Sequence, residues 1–191
     1  MKAMSIKNRE IVLGVTGGIA AYKAAALTSL LVQQGAGVTA VLTRNARRFV
    51  GEATFAALTG RPVATRSFDP RAYPLGAHIE LAERADLVVV APASADFLAQ
   101  LAAGAADDLL ATLVLCATCP IVVAPAMNAA MWDKPAVQRN VERVAADGAR
   151  VVSPGSGWLS CRAQGTGRMA EPAEIAAVIE SLLGGQAPSA D

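Results

Sequence analysis

An α/β fold, an open and doubly wound parallel sheet in a single domain, is what this chain predicts. Three observations carry the prediction. Five short apolar runs recur along 191 residues, helical stretches fill most of the gaps between them, and the runs are nearly unbroken, with Thr39 their one polar residue, instead of alternating with polar residues. A strand that is apolar on both sides needs helices on both sides, which is the arrangement of a parallel sheet with both faces covered. The length suits one domain whose core needs no disulfide or metal to hold it.

Taken in order, the first run (residues 11–15) leads into Thr16-Gly17-Gly18-Ile19-Ala20-Ala21-Tyr22-Lys23, a glycine turn opening a helix predicted over 19–34 and stopped by Gly35. Such a turn lets backbone N–H groups approach a phosphate at the positive end of the helix dipole. It lacks the Gly-Lys-Ser/Thr ending of a Walker loop. The second run (38–42) ends in Thr43-Arg44-Asn45 without the acidic residue that would hold an adenosine ribose, so a mononucleotide phosphate fits better than a dinucleotide. A helix is predicted over 51–58, and residues 61–77, rich in Pro, Arg and Gly, then break the rhythm. The third run (87–90) continues to Ala91-Pro92-Ala93-Ser94-Ala95-Asp96, where Ser94 and Asp96 either cap the next helix, predicted as one piece over 95–116, or face a ligand. The fourth (121–123) is stopped by Pro125. Ala126, Met127 and Asn128 follow, and Asn128 is placed to cap a helix starting near Met131 or to turn its amide towards a bound carboxylate. A helix over 135–146 stopped by Gly148, a fifth strand at 151–152, a glycine-hinged loop over 154–168 and a last helix over 173–183 complete the domain. Residues 185–191 read as a flexible tail or the start of a linker.

Composition excludes several classes of function. With 17 basic against 16 acidic residues and 4% aromatics, the chain has neither the electrostatic footprint of a nucleic-acid or anionic-membrane binder nor the stacking platforms for single strands. Three cysteines, an odd number, and a charged N-terminus without an apolar stretch of signal-peptide type predict a reduced, cytoplasmic protein. The uncharged stretch 109–132 is divided by Pro120 and Pro125 and reads as core, not as a membrane span. His78 is the sole histidine, which excludes clusters of imidazole ligands. Cys116 and Cys119 have no second pair with which to hold zinc, so they read as small core residues and no metal is expected. Cys161 differs, because its place in the hinged loop would let a thiol be delivered onto a ligand. Gly17, Thr43, Ser94 and Asn128 all follow strands at one carboxyl edge, where open α/β sheets bind ligands.

Together these segments resemble the flavin-dependent cysteine decarboxylases, most closely the branch acting on phosphopantothenoylcysteine in coenzyme A biosynthesis, over nearly the whole chain (1–184). Gly17-Gly18-Ile19-Ala20-Ala21 looks like the family's first flavin-phosphate loop and Pro92-Ala93-Ser94-Ala95-Asp96 its second flavin motif. Pro125-Ala126-Met127-Asn128 with Met131-Trp132 matches its substrate motif, and His78-Ile79-Glu80-Leu81 matches the segment carrying its base. Cys161 followed by Gly165-Thr166-Gly167-Arg168-Met169-Ala170-Glu171-Pro172 resembles its substrate clamp. One departure stands out: Arg162-Ala163 occupies the place where the family usually has Gly-Asp, adding charge and restricting the backbone.

The resemblance implies a Rossmann-like flavoprotein with FMN held by Gly17, Gly18, Ile19, Thr43, Ser94, Ala95, Asp96 and Ala126. It implies His78 as base, Cys161 as acid, Asn128 orienting the substrate carboxylate, and Met127 and Arg168 also binding substrate. It further implies a homotrimer or an assembly of trimers with flavin between subunits, and a covalently or non-covalently associated phosphopantothenoylcysteine synthetase. The chemistry requires a flavin because a cysteine carboxylate cannot lose carbon dioxide until its side chain is oxidised to a thioaldehyde that accepts the electrons. Two alternatives stay open. One is an oxidative decarboxylase of C-terminal peptidyl-cysteine, which stops at the enethiol, and the other is a non-catalytic regulatory flavoprotein of the same fold.

Overall fold

The structure is a computed structural model, and residues 6–158, 160 and 162–184 are described. Five parallel strands form the sheet: β1 (Glu10–Val15), β2 (Gly37–Leu42), β3 (Leu87–Ala93), β4 (Ile121–Pro125) and β5 (Arg150–Val151), in the order β2-β1-β3-β4-β5. The order reverses between β1 and β3, which is where a doubly wound sheet opens a crevice at its carboxyl edge.

The apolar runs are continuous because successive residues serve different cores. Leu13, Val15, Leu87 and Val89 face a cluster with the helices α1 (Ala21–Gln33), α2 (Glu52–Thr59) and α8 (Pro172–Leu183). Val12, Val88, Val90 and Val123 face the opposite cluster with α3 (Ala77–Arg84), α4 (Ala95–Ala103), α5 (Leu109–Cys116) and α7 (Pro135–Ala146). Between β4 and α7 lies one further turn of helix, α6 (Ala129–Trp132). No helix among the described residues is long and apolar enough to cross a membrane.

Four expectations need correction. The helix predicted over 95–116 is two helices, because Gly104 adopts the left-handed conformation (φ 66°) that ends α4, and Asp108 starts α5 by accepting from the Ala111 N–H at 2.9 Å. The glycine-hinged loop contains an antiparallel ribbon, β6 (Gly155–Trp158) against β7 (Gln164–Arg168), whose Gly-rich, polar strands give no hydrophobic period to read. Helix α3 lies at the end of the irregular stretch after α2, where no helix is predicted. Cys116, expected in the core, is exposed, while Cys119 is half-buried and its thiol is pushed up by desolvation.

At the amino edge a charged network closes the fold. Buried Arg9 pairs with Asp86 at 3.0 Å and donates to the carbonyl of Leu183 at 3.3 Å, fixing the end of α8, while Asp86 also accepts from the Glu10 N–H. Arg61 grips Glu10 from the other side, and its hydrogen bond holds the Glu10 carboxyl below its ordinary value of 4.5 against the opposing effect of burial.

Candidate functional site

The carboxyl edge is built outward from Thr16, the residue that follows β1. Its hydroxyl donates to the Pro92 carbonyl at 2.8 Å and accepts from the Ser94 N–H at 2.9 Å, so the ends of β1 and β3 are tied side by side. Gly17 follows because nothing larger fits: a Cβ there would lie 2.5 Å from the Cβ of Asn45. Gly18 faces the opposite condition, with no atom within 4 Å of where a Cβ would project. Helix α1 then begins at Ala20, which supplies no side-chain cap, and carries no acidic residue in its first turn. By contrast α4, α5 and α6 are capped by Ser94, Asp108 and Asn128. An uncapped helix N-terminus behind an open glycine is suited to accept one phosphate.

Across the crevice, the Pro125–Asn128 turn is anchored on two sides. The Ala126 N–H donates to Ala93 and the Met127 N–H donates to Gly167 of β7 at 2.9 Å. Gly167 sits at φ 140°, and a Cβ there would fall 2.3 Å from the Met127 carbonyl oxygen, so the ribbon can lie against the turn only as glycine. Asn128 accepts from the Ala130 N–H through Oδ1 at 2.8 Å and so caps α6, as one of its two readings expects. Met131 is 46% exposed and does not join the core. A third anchor comes from α1. Buried Lys23 donates to Glu171 at 2.8 Å and to the Met169 carbonyl at 3.3 Å, and Arg168 pairs with the same carboxylate at 3.1 Å. The Lys23 hydrogen bond holds the Glu171 carboxyl below its usual range, with burial opposing and the charges of Lys23 and Arg168 assisting.

These walls enclose a cavity of about 590 Å³. Of the residues singled out from sequence, Gly17, Gly18, Ile19, Ser94, Ala95, Ala126, Met127, Asn128 and Arg168 line it. Three others stand apart from its lining. Thr43 follows β2, where its N–H donates to Val15 and its hydroxyl accepts from Ala46. Exposed Asp96 accepts from Gln100 one turn further along α4. His78 lies in the first turn of α3, its Nδ1 buried with no hydrogen-bond partner among the described residues. Cys161 lies outside the described residues. Among the described residues no group of three or more His, Cys, Asp or Glu side chains could hold a metal ion.

No sequence motif marks Thr16 as a tie or Lys23 as an anchor. Lys23 leaves one signal, since it is the single charged residue in α1, a helix otherwise made of Ala, Leu and uncharged residues.

Fold and cavity define a class: an open α/β protein in which an uncapped helix start faces a carboxamide-bearing turn across one crevice. The chain belongs to the flavoprotein family, whose model matches residues 2–184. It is 46% identical over 175 residues to the coenzyme A biosynthesis bifunctional protein CoaBC of Bacillus subtilis, covering 92% of this chain and 43% of that protein. The CoaBC of Mycobacterium tuberculosis is 47% identical over 176 residues, covering 92% and 41%. The chain thus spans less than half the length of these relatives. Among solved structures, the FMN-dependent cysteine decarboxylase SpaF is 35% identical with a TM-score of 0.81, covering 94% of this chain and 97% of that one. A PPC decarboxylase mutant complexed with pantothenoylaminoethenethiol is 29% identical, also at 0.81, covering 92% and 98%.

Proposed function

We propose that this chain is an FMN-dependent carboxy-lyase that converts 4'-phospho-N-pantothenoylcysteine to 4'-phosphopantetheine and carbon dioxide. The observation that carries the reading is the single cavity shared by Gly17–Gly18 at the uncapped start of α1 and Met127–Asn128 at the end of β4. The likeness to the CoaBC proteins and to the PPC decarboxylase structure supports it. The residues fit FMN in that one phosphate site is present and no acidic residue follows β2 to hold an adenosine.

When bound, FMN supplies reversible two-electron acceptance at the cysteinyl side chain. The protein's own residues do the rest. The helix start and glycine turn would hold the phosphate and Ser94, Ala95 and Ala126 would hold the ring, while Thr43 and Asp96, which do not line this chain's cavity, would contribute from beyond its lining. Asn128 and Met127 orient the cysteinyl carboxylate and amide, and Arg168 attracts the anionic substrate. His78 takes the proton from the substrate thiol, and Cys161 returns one to carbon after carbon dioxide has left.

His78 does not line the cavity of its own chain, which is why the reading includes assembly. Ile19 and Trp158 at the cavity, with Phe68 and Leu75 ahead of α3, are 57%, 62%, 90% and 71% exposed. Apolar surface of this kind marks an interface, and the reading is a homotrimer, or an assembly of trimers, in which His78 of one copy serves the cavity of the next. Because the relatives are bifunctional and about twice as long, the natural partner is a phosphopantothenoylcysteine synthetase, fused or associated, in the cytoplasm.

Release of carbon dioxide from phosphopantothenoylcysteine by the FMN-loaded protein tests the proposal, and absence of turnover overturns it. The likeness to SpaF favours one second reading, oxidative decarboxylation of a C-terminal peptidyl-cysteine. Turnover of a cysteine-terminated peptide in place of the phosphorylated substrate would select it.

A further inference from the structure

Lys23 is an unusual lysine for a cavity wall. Its side chain is only 8% exposed, and its ammonium donates to Glu171 at 2.8 Å and to the Met169 carbonyl at 3.3 Å. Both acceptors lie in the segment that joins β7 to α8, so the start of α1 is fastened to the base of the β6–β7 ribbon. Two residues before Met169, the Gly167 carbonyl accepts the Met127 N–H, and Met127 leads directly into Asn128. The chain of contacts therefore runs from the phosphate-accepting turn through Lys23 and Glu171 to the ribbon, and from the ribbon to the turn that carries Asn128. Glu171 is held at both ends, since it also forms a capping box with Glu174 at the start of α8.

We propose that Lys23 is a positioning residue for the substrate: through Glu171 and Met169 it sets the ribbon against the Met127–Asn128 turn. This rests on the carboxy-lyase reading for its consequence in turnover, but the geometry it asserts can be tested without it. Arg168, held by the same carboxylate from the solvent side, does not duplicate the role, because it lies on the ribbon itself and cannot tie that ribbon to α1.

Lys23→Met keeps the aliphatic stem and removes the donors, and Glu171→Gln, at a half-exposed side chain, tests the same joint from its tolerant side. Both are examined as FMN-loaded protein by hydrogen exchange. The Met127 amide is the direct reporter, because it donates across the joint. The expected result is about tenfold faster exchange at Met127 and at residues 164–168, as for loss of one charge-assisted hydrogen bond, with β1 and β3 amides unchanged and FMN retained. With phosphopantothenoylcysteine, KM rises by more than the saturating rate falls. Unchanged exchange at Met127 in both variants overturns the proposal. So does equally faster exchange throughout the sheet, which would make Lys23 a general stability residue, and so does loss of FMN with the ribbon undisturbed, which would assign it to the cofactor helix. If the parent protein shows no decarboxylation, the functional reading fails while the exchange at Met127 still decides this one.

Discussion

At Asn128, the helix cap can be separated from the proposed ligand role by changing charge alone. Oδ1 accepts from the Ala130 N–H, and a carboxylate in place of the carboxamide keeps that acceptor. Aspartate also caps helices, but it would set a negative charge against the substrate's own. Asn128→Asp is therefore expected to weaken substrate binding at least about tenfold while the melting temperature moves by no more than about 2 °C. A ligand titration beside a thermal melt reads both. His78→Asn is expected to keep FMN yet lose decarboxylation by about 10²–10⁴-fold, measured as carbon dioxide release beside the flavin absorbance. In Cys161→Ser, where a hydroxyl replaces a more acidic thiol, anaerobic single turnover should release an enethiol in place of the saturated thiol, distinguished by mass. Gly17, Gly18 and Asn128 were legible in the sequence because each sits where an apolar run stops at a turn-forming or capping residue. Lys23 was not, because its partners Met169 and Glu171 lie 146 and 148 residues away, and no local pattern records such a contact.

The same contrast holds for the elements. Strands β1 to β4 could be read from sequence because burial on both faces writes an unbroken apolar run, and Gly35 and Gly148 mark helix ends by their positive φ. The ribbon could not be. Its strands are held by backbone pairing and by the Ser156–Thr166 hydroxyl contact at 2.9 Å, neither of which requires a hydrophobic residue. Gly167→Ala tests how firmly that ribbon is seated: with φ at 140° and the Met127 oxygen 2.3 Å from the new methyl, stability should fall by about 1–3 kcal/mol in chemical denaturation. At the amino edge, the Glu10–Arg61 pair predicts a pH dependence. The Glu10 carboxyl is depressed in the folded state, so its contribution is fully present above its ordinary value of 4.5 and is lost as pH falls through the lower folded value. Glu10→Gln should flatten the acid limb of stability below about pH 4.5 and leave its shape near neutrality alone, as seen in denaturation at a series of pH values.

For the whole molecule, the expected state is a yellow protein that releases FMN and not FAD on denaturation, and that scatters light as a trimer or larger. A stable flavin-loaded monomer would contradict the proposed assembly, in which His78 serves a neighbouring cavity. Helix α8 starts at the ribbon's base and ends under Arg9 at the opposite edge of the sheet, and its 12 residues span about 18 Å. The described chain therefore ends at the edge of the sheet opposite the crevice, and that is the edge from which a fused synthetase domain would start. If such a domain stayed at that edge, its product would reach the crevice through solvent or in another copy, so fusion of the two activities would raise their local concentration without building a tunnel between them. An added enzyme that consumes the free intermediate should therefore intercept it.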